Sequence, residues 1–222
     1  MQHKSPFQTW LVLILAIIPL AYLAYLYPSL PDKVPTHYNI SGKIDAYDEK
    51  TTIWIPVVIF SLMNIGIHFL FKALPKIDPK KSAAQSPSML AKLSTFLAVF
   101  LALIQIAMIQ ATTGNTTILN KTLVPAIGLL FTLIGNYMFS IKPNYFIGLR
   151  LPWTLENEDN WRKTHQYMSK YWVIGGIIIF ITGLFTSFLV GIIVLFVVLT
   201  IIIILPVRYS YLLFKNQANN HS

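Results

Sequence analysis

The chain has no cysteine and little acid: across its 222 residues Asp and Glu number 8, against 17 Lys and Arg. The absence of cysteine excludes a disulfide framework, a thiolate metal site and a cysteine nucleophile, and leaves the redox compartment open. Charge of either sign is missing from long stretches, since no Asp, Glu, Lys or Arg occurs in 5–31, 51–71, 93–120, 122–141 or 171–207. Each window reaches the roughly 20 apolar residues needed to cross a hydrocarbon core. With 55% of its residues apolar and 11% charged, the chain reads as a polytopic membrane protein. A soluble enzyme domain, a disordered regulator and a disulfide-built secreted module are excluded.

The last window is too long for one ordinary span and long enough for two joined by a tight turn near 187–191. That division gives six spans, about 9–27, 53–73, 90–111, 123–141, 171–188 and 192–213. A cleaved signal peptide is the competing reading of the first run. The run from Trp10 to Leu26 exceeds a usual signal core, however, and ends in Tyr22, Tyr25 and Tyr27 rather than a small-x-small site. Basic residues set the orientation, because they are retained on the cytoplasmic side near span ends. One side holds Lys4, then Lys72, Lys76, Lys80, Lys81 and Lys92, then Lys142, Arg150, Arg162, Lys163 and Lys170, and finally Arg208 and Lys215. The other side holds Lys33, Lys43, Lys50 and Lys121. Both termini are therefore expected in the cytoplasm, which requires an even number of spans.

Topology also accounts for the net charge of +9 without direct nucleic-acid binding. The second loop, with Pro75, Pro79, Pro87, Ser82, Ser86 and Ser88, reads as a flexible connector beside anionic membrane lipids. The expected architecture is an all-α, multi-pass protein of the cell membrane. Residues 1–92 carry two spans, an outer loop (about 28–52) and a cytoplasmic linker. Residues 93–222 carry four spans and a cytoplasmic loop (about 142–170).

All eight acids lie outside the spans, seven of them in those two loops. The spans offer the neutral polar groups Asn64, His68, Gln105, Gln110 and Asn136 instead. Asn64 and His68 share a helix face at i, i+4, so they either line a pathway or hydrogen-bond to a neighbouring helix. A pathway through Asn64, His68, Gln105 and Asn136 would suit a small transporter or lipid-handling protein. Gly128 and Gly135, like Gly176 and Gly183, recur at seven-residue spacing, a pattern of close helix packing.

In the outer loop, Pro28, Pro31 and Pro35 bias the chain toward an extended, polyproline-like path, and Ser41-Gly42 supplies a turn. His37, Tyr38, Asn39, Asp45, Tyr47, Asp48 and Glu49 suit contact with a ligand from outside. His37 with Asp45 is half of a metal site at most, since no recognised ligand spacing accompanies it. The alternative is a cap folded over the outer helix ends. Pro35, His37, Asn39 and Gly42, followed by Asp45, resemble the P-x-H-x-N-x-x-G module (DUF1648 type) that follows the first span in bacterial membrane proteins of the SdpI family.

In the inner loop, Asn157 caps a helix whose first turn holds Glu158 and Asp159, favourable at the positive end of the dipole. Glu158–Arg162 and Asp159–Lys163 form i, i+4 pairs. Trp161, His165, Met168 and Trp172 make one stripe, which predicts a short interfacial helix lying on the cytoplasmic leaflet before span five. Gly148 permits a sharp turn, and Arg150 is left to bind a lipid phosphate, an acid of its own loop or a partner protein. Glu158 and His165 share a face, but about 10 Å of helix separates them. No nucleophile motif, phosphate loop or HExxH zinc motif occurs, so neither an enzyme nor a cofactor is expected.

The stretch Gly135-Asn136, then Asn144, Gly148, Arg150, Pro152-Trp153-Thr154-Leu155, Trp161 and Thr164-His165, resembles the SdpI family signature G-N…N-x-x-x-G-x-R-x-P-W-T-L…W…T-H. The resemblance implies a six-span immunity protein that protects its producer from a secreted toxin peptide. It further implies a signalling role, in which a cytoplasmic autorepressor is held at the membrane. On that reading the outer-loop residues face the toxin and the 144–165 segment faces the partner. The oligomeric state is not implied.

Overall fold

The structure, a computed structural model, describes residues 6–80 and 86–219; Lys4, Lys81 and Ser82 lie outside them. Among the described residues six helices are long and apolar enough to cross a membrane. They are α1 (Pro6–Leu26), α2 (Trp54–Ile77), α3 (Pro87–Ala111), α4 (Thr116–Met138), α6 (Glu158–Phe185) and α7 (Phe188–Asn219), with a short α5 (Pro152–Glu156) between α4 and α6. Local sequence marks their starts. Pro87 and Pro152 open α3 and α5, where a missing N–H costs nothing. Asn115 and Asn157 cap α4 and α6 by accepting from the backbone of Thr117 and Asn160. The last charge-free window does divide in two, with the break at Thr186 and Ser187.

α1, α2 and α3 pack together, α4, α6 and α7 pack together, and α3 joins the two groups by also packing on α4. The regions expected on either side of residue 92 therefore share α3. The tightest interface is between α4 and α6, and its glycines explain it. A Cβ on Gly176 would lie 2.5 Å from the Thr132 nitrogen, and one on Gly183 would lie 2.7 Å from Pro125 Cδ. Gly135 likewise faces the backbone of Val173 at 2.8 Å. The seven-residue spacing thus lets two backbones touch, as small residues do between membrane helices.

Two local expectations change. The outer loop is a β-hairpin rather than a polyproline path: β1 (Lys33–Tyr38) pairs antiparallel with β2 (Ile44–Glu49), so the fold is not purely helical. The Lys50 N–H donates to the Asp32 carbonyl at 2.9 Å, which makes Pro35 and Tyr47 a non-hydrogen-bonded pair. The absent N–H of Pro35 is thereby harmless. The second change is in α6, which runs unbroken from Glu158 into the fifth span. At 28 residues it is about 42 Å long, and α7, with 32, about 48 Å. Both exceed a hydrocarbon core of about 30 Å, so the polar N-terminal turns of α6 and C-terminal turns of α7 extend past it together.

Candidate functional site

Three places gather the polar residues. The first is the hairpin, which caps one end of the bundle. Val34 and Pro35 are buried, and Val34 joins Leu23, Leu30, Ile53, Val57 and Ile109 in a cluster at the ends of α1, α2 and α3. The tip is held by Asn39, whose side-chain oxygen accepts from the backbone N–H of Ser41 (2.9 Å) and Lys43 (3.1 Å). Gly42 sits at φ +75 and a Cβ there would collide with Asn120. Asn120 Nδ2 donates to the Gly42 carbonyl at 3.1 Å, which fastens the tip to the start of α4. His37 Nδ1 meets Asp45 Oδ1 at 2.5 Å on the exposed surface. Among the described residues no group of three metal-ligating side chains forms. Burial, with Tyr47 nearby, pushes the Tyr38 hydroxyl pKa above its ordinary value, so this tyrosine remains neutral.

The second place is a polar seam between α1, α2 and α3. His68 hydrogen-bonds through Nδ1 with Ser94 Oγ (2.8 Å) and through Nε2 with Thr9 Oγ1 (3.2 Å). Asn64 donates to the Ala98 carbonyl, Ser61 to Gln105 Oε1, and Gln105 to the Leu101 carbonyl. Gln110 donates to the Tyr22 hydroxyl. These groups are thus spent within and between α1, α2 and α3. Asn136 does not join them: it is exposed on the outside of α4, so the four-residue path expected from the sequence is not assembled.

The third and densest place is the loop end. Asn144 holds the turn after α4, accepting from the backbone of Phe146 (2.8 Å) and Ile147 (2.7 Å) while donating to Lys142 and Ile147 carbonyls. Gly148 lies at φ +106, where a Cβ would enter the His165 ring. Next to it the Leu149 N–H donates to His165 Nε2 at 3.0 Å, and His165 Nδ1 donates to the Trp161 carbonyl at 2.8 Å. One ring nitrogen therefore accepts and the other donates, which defines the neutral tautomer. With both nitrogens occupied, His165 is not available as an acid or base toward Glu158. Trp161, fully buried, stacks on His165 at 4.0 Å between centroids and donates from Nε1 to the Ile141 carbonyl.

Thr154 is fully buried and bridges its own turn, accepting from the Leu151 N–H and donating to the Leu149 carbonyl. Pro152, exposed, begins that turn. Trp153 reaches α7, donating from Nε1 to Ser210 Oγ at 2.6 Å and stacking on Phe214. Asn160 donates to the Ser210 carbonyl (3.0 Å) and accepts from Thr164, and Asn157 donates to Gln217. Lys80 donates to the Leu155 carbonyl, which ties the α2–α3 linker to the same knot.

The stripe expected on a membrane surface is instead the inner face of this knot, with Trp161, His165 and Met168 buried. The expected Glu158–Arg162 pair is replaced: Asp159 takes both Arg162 (2.6 Å) and Lys163 (2.7 Å). Arg150 is exposed and donates to the Tyr145 carbonyl at 2.6 Å. Among the described residues no carboxylate pairs with it. Sequence reasoning missed Asn160, Ser210 and Gln217, and it named Thr164 and Lys80 without these contacts. Asn160 and Thr164 bore a readable signal, two polar residues at i, i+4 beside the Trp161–His165 stripe. Ser210 bore none.

The architecture defines a multi-pass α-helical membrane protein with an extramembrane hairpin at one end and a hydrogen-bonded loop knot at the other. The match to the SdpI/YfhL protein family covers residues 140–210, which hold the knot, and a match to DUF1648, a domain of unknown function, covers 14–60, which hold the hairpin. The Immunity protein SdpI of Bacillus subtilis (strain 168) is 24% identical over 203 residues, covering 90% of this chain and 94% of that protein. The chain is thus similar to the SdpI family in both segments and, at low identity, along most of its length. No solved structure matches it.

Proposed function

We propose that the chain is an SdpI-like immunity protein that protects a bacterium from a secreted toxin peptide, with the hairpin outside the cell and the knot inside. The observation that carries this reading is the attachment of both ends to one helix pair. The hairpin is held by Asn120 at the start of α4, α4 packs backbone to backbone on α6, and α6 presents Trp161 and His165 to the signature loop. A toxin that shifted the hairpin would bias packed helices between two arrangements, which is the physical requirement for coupling two faces. Asn39 and Gly42 shape the hairpin tip, and His37 and Asp45 stand exposed for contact.

On the inner face we assign partner contact to the exposed Arg150 with Tyr145 and Phe146, and the response is retention of a cytoplasmic repressor. The buried signature residues Asn144, Thr154, Trp161 and His165 hold that surface in place. Expression in a sensitive bacterium, followed by challenge with a panel of secreted peptides, tests protection; unchanged killing across the panel counts against immunity. Because the chain lacks cysteine, single substitutions Tyr47→Cys and Tyr145→Cys can be labelled without background. An impermeant maleimide on whole cells is expected to reach position 47 and not 145. Crosslinking from position 145 to a repressor tests the partner assignment.

A further inference from the structure

We propose that the free edge of β2 is a docking site for an extended, basic peptide segment, which adds to the hairpin as a third strand. Among the described residues the hairpin has two strands, so β2 pairs with β1 on one side and with no strand on the other, and Asp45 to Glu49 are all exposed. Because Lys50 bonds Asp32, the alternation of the ladder makes Tyr47 a non-hydrogen-bonded position. Its N–H and C=O therefore point away from β1 and toward the open edge. At the next such position the Glu49 N–H is taken by Asp48 Oδ1 at 2.8 Å, which closes the edge there and leaves it open at Tyr47. The ladder shifts register on either side of the His37–Ala46 pair and is regular from Tyr47 to Glu49.

Natural edges are blunted by lysine, proline or a covering element; residues 44–49 contain neither lysine nor proline, and among the described residues no element pairs there. Charge selects the occupant. Asp45, Asp48 and Glu49 give this strand three acids and no base in a chain of net charge +9. A second copy is disfavoured, because antiparallel pairing centred on Tyr47 would set Asp45 opposite Glu49 of the other copy. A basic strand gains both the main-chain bonds and the charge complement, and the Tyr47 ring, 60% exposed, supplies apolar contact.

The proposal rests on the immunity reading only for the identity of the natural peptide. The test uses the full chain in phosphatidylcholine nanodiscs, which give basic peptides little charge to bind, and a fluorescent alternating Lys-Val decapeptide. We expect saturable binding that empty discs lack and that falls with salt. Methylating alternate backbone nitrogens of the probe is expected to weaken binding about tenfold, as is Tyr47→Pro, which removes the outward N–H together with the ring, measured against Tyr47→Ala, which removes the ring alone. Asp48→Asn with Glu49→Gln, which leaves the backbone intact, is expected to weaken binding several-fold and flatten the salt dependence. Equal binding by the methylated probe, unchanged affinity in both variants, or Tyr47→Cys chains that form disulfide dimers instead of binding the probe would overturn the proposal. If protection survives Tyr47→Pro while probe binding is lost, the docking site and the immunity reading both stand, and the natural peptide of this edge is not the toxin. Probe binding without protection in the sensitive strain removes the immunity reading and leaves the docking site.

Discussion

Replacing Gly148 with alanine tests whether the signature loop is built as described. Its φ of +106 lies outside the conformations that side-chain-bearing residues adopt, and holding alanine there costs about 1–3 kcal/mol. The added methyl also falls on His165 Nε2, the atom that accepts from the Leu149 N–H. Losing that bond inside a buried knot costs about 1–3 kcal/mol more. Together the loss is about 2–5 kcal/mol of local stability, the upper figure being trimmed because a shifted loop relieves part of both. At tenfold per 1.4 kcal/mol, amide exchange across 144–155 should quicken by at least about 25-fold. His165→Ala removes the same hydrogen bond while making room for the methyl, so the double variant should be clearly less than additive. Exchange in 144–155 that matches the parent chain, or strict additivity of the pair, would refute the account of Gly148 and His165 as one lock.

Gly176→Ala should lower thermal stability by about 1–3 kcal/mol, because its Cβ meets the backbone of α4. Gly66→Ala, with nothing within 4 Å of its Cβ, should be neutral or stabilising by about 0.5–1 kcal/mol. Trp153→Phe keeps the ring against Phe214 but loses the bond to Ser210, so it should cost about 0.5–1.5 kcal/mol in detergent unfolding. Asn136→Leu, on the outside of α4, should change stability by less than about 0.5 kcal/mol. It should also leave any solute movement in liposomes unaltered, whereas a transport path through this residue requires a loss.

The spans, their number and the paired helices at the end of the chain were legible because charge burial in hydrocarbon is so costly that its avoidance is written along the sequence. The Asn157 cap and the close packing of the glycine-bearing helices were legible for a similar reason: each rests on residues close in sequence or on a simple period, whereas that α4 packs on α6 was not. The hairpin was not, since the prolines of the outer loop suggest a polyproline path. Only the pairing of 33–35 with 47–49 shows that Pro35 occupies a position needing no donor. The stripe of Trp161, His165 and Met168 was seen, but periodicity identifies an apolar face without naming what covers it.

The sequence alone determined that this is a six-span membrane protein with its charge confined to a few loops, and its motifs indicated the SdpI family. Those features depend on local composition and spacing, which a single chain displays in order. Tertiary structure decided what the signature residues do. Gly148 meets His165 across 17 positions, Trp153 meets Ser210 across 57, and Asn120 meets Gly42 across 78. Contacts that distant leave no period in the sequence, because each is set by how whole helices pack and not by the residues beside it.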